Sequence, residues 1–206
     1  MFSIRPAVYL RRCFSSIRIP ASGQKESNLV PRSLPEQLVL AINGQINEEY
    51  YASYMYRSIS YHFATSSVCL LGLSELYRKL ASEEIGHAES LADFLLFRNN
   101  SVTLETIAKP PERQWSSNIG QTLCETIELE MKLSGSISLV YEVAEKQRDV
   151  VLMDFLTKHF LHQQCDSLRT LQQLSTKWSQ LRAAPDGTYR FDREVRNWIL
   201  SSNLPK

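Results

Sequence analysis

The chain has 206 residues, 43% of them hydrophobic, which is enough for one sizeable core, and only seven glycines and eight prolines to interrupt long elements. Its formal charge of +1 is unevenly spread: residues 1–25 hold Arg5, Arg11, Arg12, Arg18 and Lys25 with no acid, so the remainder is mildly acidic. An acidic body does not suit nucleic-acid or membrane-surface binding, and no apolar run approaches the ~18 residues of a membrane span.

Residues 1–34 read as a targeting segment and linker. Arg5, Arg12 and Arg18 recur at six- to seven-residue spacing, with Ile4, Val8 and Phe14 available for another face. Arginine and serine without acid, in an amphipathic pattern, describe a mitochondrial transit peptide. Ala7-Val8-Tyr9-Leu10 is too short for a secretory core, and Arg12-Cys13-Phe14-Ser15 resembles a matrix-protease site cleaved after Phe14. The alternative is a basic tail that stays attached to a cytoplasmic protein. Cys13, Cys69, Cys124 and Cys165 are widely separated with no CxxC, which reads as scattered thiols in a reducing compartment.

From residue 35 the pattern is helical. Leu38, Ile42, Gln45, Glu49, Ala52, Tyr56, Ile59 and Phe63 step by threes and fours, predicting a helix over 36–63. Leu73, Leu76, Leu80, Glu84, His87, Leu91 and Leu95 predict a second over 70–98. Pro110-Pro111 forbid its continuation. Ile119, Leu123, Thr126, Glu130, Leu133, Ile137, Val140 and Ala144 predict a third over 117–145. Met153, Leu156, Phe160, Gln164, Leu168, Leu171, Leu174 and Trp178 predict a fourth over 149–179. After a break at Ala184-Pro185-Asp186-Gly187 a short segment ends near Leu200. Short links after the first and third helices make antiparallel hairpins, and the long link between the second and third is expected to run the length of a bundle. The fold class is therefore all-α: a four-helix bundle with one long crossover, the ferritin-like topology, plus a short fifth helix.

Five polar residues interrupt these stripes where leucine is expected: Glu49, Glu84 with His87, Glu130 and Gln164. An unpaired carboxylate is almost never left in a core. Each lies near the middle of its helix, so all should meet at one level. Carboxylates gathered in a dry interior repel one another unless cations lie between them, and two divalent ions would suffice. Glu84-x-x-His87 is the Glu-x-x-His unit of di-iron bundles, and oxygen with one nitrogen suits iron. One ion would take Glu49, Glu84 and His87, and the other would share Glu84 and take Glu130. Gln164 is neutral and better suited to orienting water or oxygen. The bland alternative has each glutamate at a stripe edge, reaching water or an arginine.

At these residues the chain resembles the ferritin family, specifically the animal heavy-chain type with a mitochondrial form. The matching stretches are Ile46-Asn47-Glu48-Glu49-Tyr50-Tyr51-Ala52-Ser53-Tyr54, Glu83-Glu84-Ile85-Gly86-His87-Ala88-Glu89, Leu129-Glu130 and Leu161-His162-Gln163-Gln164. The resemblance implies a diiron domain over 35–206 that oxidises Fe(II) with dioxygen and stores ferric oxyhydroxide within a shell of twenty-four subunits. It assigns the ferroxidase ligands to Glu49, Glu84, His87 and Glu130, with Gln164 nearby and Tyr56 beside the centre. It also assigns Glu83 and Glu89 to a mineral-nucleating inner surface, with Gly86 where a third acid is frequent. Asp154 matches an acid of the iron-admitting channel, whose second acid is here Thr157. Arg190 and Glu194 make the last helix more charged than the family pattern. Two other readings are a catalytically silent shell subunit and a di-iron oxygenase. The intact ligand set opposes the first, and the lack of a second Glu-x-x-His opposes the second.

Overall fold

The computed structural model describes residues 33–202, which form helices and connecting turns with no strand. The predicted targeting segment lies outside these residues except for Ser33 and Leu34, as does Cys13. The helices are α1 (Glu36–Ala64), α2 (Leu71–Phe97), α3 (Ile119–Lys146), α4 and α5 (Gly187–Ser202). Helix α4 has two α-helical parts, Val150–Leu156 and His162–Leu181, joined by a π turn over Thr157–Leu161. These bounds match the predicted ones within two residues, except that α5 and the π turn add detail.

The ends of the helices follow from local chemistry. Helix α3 starts where the Asn118 side chain accepts the Gln121 N–H at 3.1 Å, and α4 where Asp149 accepts the Leu152 N–H at 3.0 Å. Helices α2 and α3 both stop on a left-handed residue, Asn99 (φ 56°) and Arg148 (φ 55°). In each, the next N–H folds back, Asn100 to the Leu95 carbonyl and Asp149 to that of Ala144, both at 2.9 Å. Asp149 thus closes one helix and opens the next. It also takes a bidentate ion pair from Arg98 at 2.9 and 2.7 Å, which ties the end of α2 to the α3–α4 turn.

The crossover runs the bundle's length, as expected. At its start the Asn43 side chain accepts the Thr103 N–H at 2.7 Å, and Asn100 receives the Leu34 N–H at 2.9 Å. At its end Trp115 is buried, and its carbonyl accepts the Thr122 hydroxyl at 2.8 Å. These anchors belong to opposite halves of the core. One apolar cluster joins the start of α1 and the end of α2 to the α3–α4 turn region. The other joins the end of α1 and the start of α2 to Trp115, Leu171 and α5. Between the two halves lies a polar layer.

Helix α5 is fixed by Phe191, Val195 and Ile199, all buried. Gly72 lets it approach, since a Cβ there would collide with the Asp192 carbonyl. Asp192 in turn accepts the Leu73 N–H at 2.8 Å, and Glu194 pairs with Lys177 at 2.8 Å. Part of the charge noted in the last helix is therefore spent on its own bundle. Cys69, Cys124 and Cys165 are exposed and unbridged.

The π turn differs from the uninterrupted helix predicted for the fourth stripe. Leu152, Leu156, Phe160 and Gln164 are all buried and all four apart, and each such step overshoots a 3.6-residue turn, accumulating about 120°. One extra residue in a turn removes about 100° of that drift and returns Gln164 and Leu171 to the face of Leu152. Met153, Leu168 and Leu174 are accordingly only half-buried, at the edges of the stripe.

Candidate metal centre

The polar layer holds the predicted residues. Glu49, Glu84, Glu130 and Gln164 are each no more than 3% exposed, a burial that charged and polar heads rarely accept without partners. Glu49, Glu84 and His87 offer ligand atoms all within 4.8 Å of one another. The His87 Nδ1 stands 2.8 Å from Glu84 Oε2 and 3.9 Å from Glu49 Oε2. Glu130 stands outside that trio but touches it through the Glu84 carboxyl, and Tyr56 donates its hydroxyl to Glu130 Oε1 at 2.6 Å. Gln164 is buried with its Oε1 lacking a partner, at the floor of the same cleft as Glu84 and Glu130. His87 is half-buried, because that cleft, about 700 Å³ between α2 and α4, opens beside it.

The electrostatics are those of a site with too many acids. Burial raises Glu49 well above the usual carboxylate range, and the charge of Glu84 adds to it. Burial, and then the charge of Glu130, push Glu84 to about 8. Burial raises Glu130 as well, and the Tyr56 hydroxyl pulls it part of the way back. Without a cation between them the three carboxyls therefore favour their protonated forms. A cation that displaced protons from them would turn three repelling acids into ligands and would satisfy Glu49 Oε2 and Gln164 Oε1, which have no hydrogen-bond partner. The donor set of carboxylates and one imidazole suits ferrous or ferric iron.

The residues predicted outside the centre are placed differently. Glu83 and Glu89 are exposed and line the cleft's rim, and Glu83 is 3.7 Å from Lys79. Gly86 is exposed between them. Asp154 is exposed on α4 and paired with Lys158 at 2.6 Å, so its charge is answered within its own helix. Thr157 turns its hydroxyl onto the Met153 carbonyl at 2.8 Å. Arg190 is exposed.

Two residues to which the sequence pattern gives no role touch the ligands. Gln45 Nε2 donates to Glu49 Oε1 at 2.7 Å, while its own Oε1 is buried without a partner. Gln163 Oε1 lies 3.1 Å from His87 Nε2. Gln45 is a further polar residue on the first stripe, one turn before Glu49. Gln163 faces outward by period, so its spacing carries no signal.

The ferritin family model, described as a ferritin-like domain, matches residues 39–181. The chain is similar to the Ferritin heavy chain of Echinococcus granulosus, 32% identical over 82% of this chain and 96% of that one. It is similar to the Ferritin-1 heavy chain of Schistosoma mansoni, 29% identical over the same two shares. It is also similar to the Soma ferritin of Lymnaea stagnalis, 32% identical over 75% of this chain and 87% of that one.

Proposed function

This chain belongs to the ferritin family, and on that premise we propose that it is a ferroxidase subunit of the heavy-chain type. It stores iron by oxidising Fe(II) with dioxygen and passing Fe(III) to a mineral of ferric oxyhydroxide. The observation that carries this reading is the convergence of the buried Glu49 and Glu84 with His87, with Glu130 in contact. A subunit that contributed only surface would have no use for three acids in a dry layer, since apolar residues would pack there at lower cost.

In this reading iron is the substrate. One ferrous ion binds Glu49, Glu84 and His87, and the second binds Glu84 and Glu130. Each ion gives one electron to dioxygen. Tyr56 holds the Glu130 carboxylate in place, and Gln164 offers its unpartnered oxygen to water or to a proton on the reacting oxygen species. The second ion has fewer firm ligands, which suits release of the oxidised product better than a resident cofactor. Leu133, one turn after Glu130, is packed in the core, so a second Glu-x-x-His unit of the oxygenase kind is lacking.

The test is the initial rate of Fe(II) oxidation in air. The wild-type chain oxidises ferrous iron in a fast phase, and Glu84→Lys with His87→Gly abolishes it. An unchanged initial rate in the double variant overturns the assignment.

The same proposal extends to assembly and location. The subunit forms a shell of twenty-four copies, with Glu83 and Glu89 on a mineral-bearing inner face and Asp154 at the channel that admits iron. Residues 1–34 direct it to the mitochondrial matrix. Sizing at a few hundred kilodaltons supports the shell, and a dimer opposes it. A reporter fused to residues 1–34 that spreads through the cytosol removes the location.

A further inference from the structure

We propose that Gln45 and Gln163 are positioning residues that each grip one iron ligand by the atom turned away from the metal. Gln45 leaves Glu49 a single free oxygen, and Gln163 leaves the His87 Nδ1 lone pair free. The inference rests on the diiron reading above and concerns residues outside its ligand set.

Gln163 is argued from the imidazole. The His87 Nδ1 faces Glu84 and Glu49, its Nε2 faces Gln163 Oε1, and its ring packs on Phe160 with centroids 5.3 Å apart. A neutral imidazole carries one N–H, and an amide oxygen can only accept. Both ring nitrogens thus face acceptors, Nδ1 at 2.8 Å from Glu84 and Nε2 at 3.1 Å from Gln163; once a cation takes the place of the Nδ1 proton, Gln163 accepts the remaining Nε2–H and Nδ1 presents its lone pair to the ion. The π turn contributes here, because it carries Phe160 and sets the phase of Gln163 one turn later.

Gln45 is argued from what it lacks. Its Oε1 is buried with no partner, so leucine or methionine would fill the position without that penalty. Its Nε2, by contrast, donates to Glu49 Oε1 at 2.7 Å. The oxygen so engaged has a lone pair committed to the amide and is the poorer of the two donors to an ion. Glu49 Oε2 has no hydrogen-bond partner and points toward His87 Nδ1. The amide is thus retained for the oxygen it occupies.

Cobalt(II) binding to the metal-free full chain tests both halves, since its visible spectrum reports coordination number. Gln163→Met should weaken cobalt binding at the His87 site by roughly tenfold or more, and Gln163→Glu, which keeps the acceptor, should restore it. Gln45→Met should melt no lower than wild type, yet reduce the cobalt absorption as Glu49 becomes free to chelate through both oxygens. Wild-type cobalt affinity in Gln163→Met overturns the first half. A wild-type spectrum in Gln45→Met overturns the second. A wild-type chain whose cobalt affinity does not fall on His87→Ala overturns the diiron reading, and this inference with it.

Discussion

Replacing Glu84 with glutamine should stabilise the metal-free protein, and should do so increasingly as pH rises. Glutamine keeps the shape of the side chain and removes its ability to ionise. In the wild type the Glu84 carboxyl is raised from 4.5 to about 8, first by burial and then by Glu130. At 1.36 kcal/mol per unit, ionising it in the folded protein costs about 5 kcal/mol relative to the unfolded chain. The sign follows from linkage. A folded-state pKa above the unfolded one means that stability is fully present below about 4.5 and is lost as pH rises through about 8. The variant escapes this loss. For a chain of this size each kcal/mol moves the melting point by about 2–4 °C, so the gain at pH 9 is on the order of 10 °C. Calorimetry of chelator-treated wild type and Glu84→Gln at pH 5, 7 and 9 makes the comparison. The two should melt nearly together at pH 5 and diverge above it, and added Zn²⁺ should reverse the order by stabilising the wild type more. A variant that melts below wild type at pH 9, or a gap that does not widen with pH, refutes the reasoning.

Three further outcomes follow from the same structure. Asp149→Ala removes both the Arg98 ion pair and the cap of α4, and should cost about 3–4 kcal/mol by chemical denaturation, whereas Asp149→Asn keeps the cap and should cost about 2. Asp149 is held below its ordinary range despite its burial, chiefly by its hydrogen bonds from Arg98, so the gap between wild type and Asp149→Asn should close as the solution is acidified. Tyr56→Phe removes the donor that lowers Glu130, so ferrous binding followed by titration calorimetry should require a higher pH, with a stability loss of about 2 kcal/mol. Deleting the exposed Lys158 should convert the π turn to α-helix while leaving both halves of α4 in phase, and the melting point should hold. Deleting Cys165 instead should turn Leu171 and Trp178 away from Gln164 and unfold the subunit.

The centre was legible in the sequence because burying charge is expensive. Glu49, Glu84 and Glu130 stand out on leucine stripes, and equal helix lengths place their midpoints together. The crossover was legible from Pro110-Pro111 and from the length of the link alone. The π turn could have been read from the successive four-residue steps of Leu152, Leu156, Phe160 and Gln164, since no α-helix keeps such a series on one face. Gln163 had no such signal, because an outward glutamine looks like any solvated one until His87 is seen beside it. The half-burial of His87 was equally hidden, since it depends on the gap between α2 and α4 and on no property of the α2 stripe. The reading of residues 1–34 rests on composition.

The central claim is that iron lies within the polar layer of the bundle. Crystals of the full chain soaked in ferrous salt without oxygen, with anomalous scattering collected above and below the iron edge, test it most directly. The account predicts one iron peak among Glu49, Glu84 and His87 and a second, weaker one between Glu84 and Glu130. Iron found only on surface carboxylates, with no anomalous peak among these four residues, would contradict it.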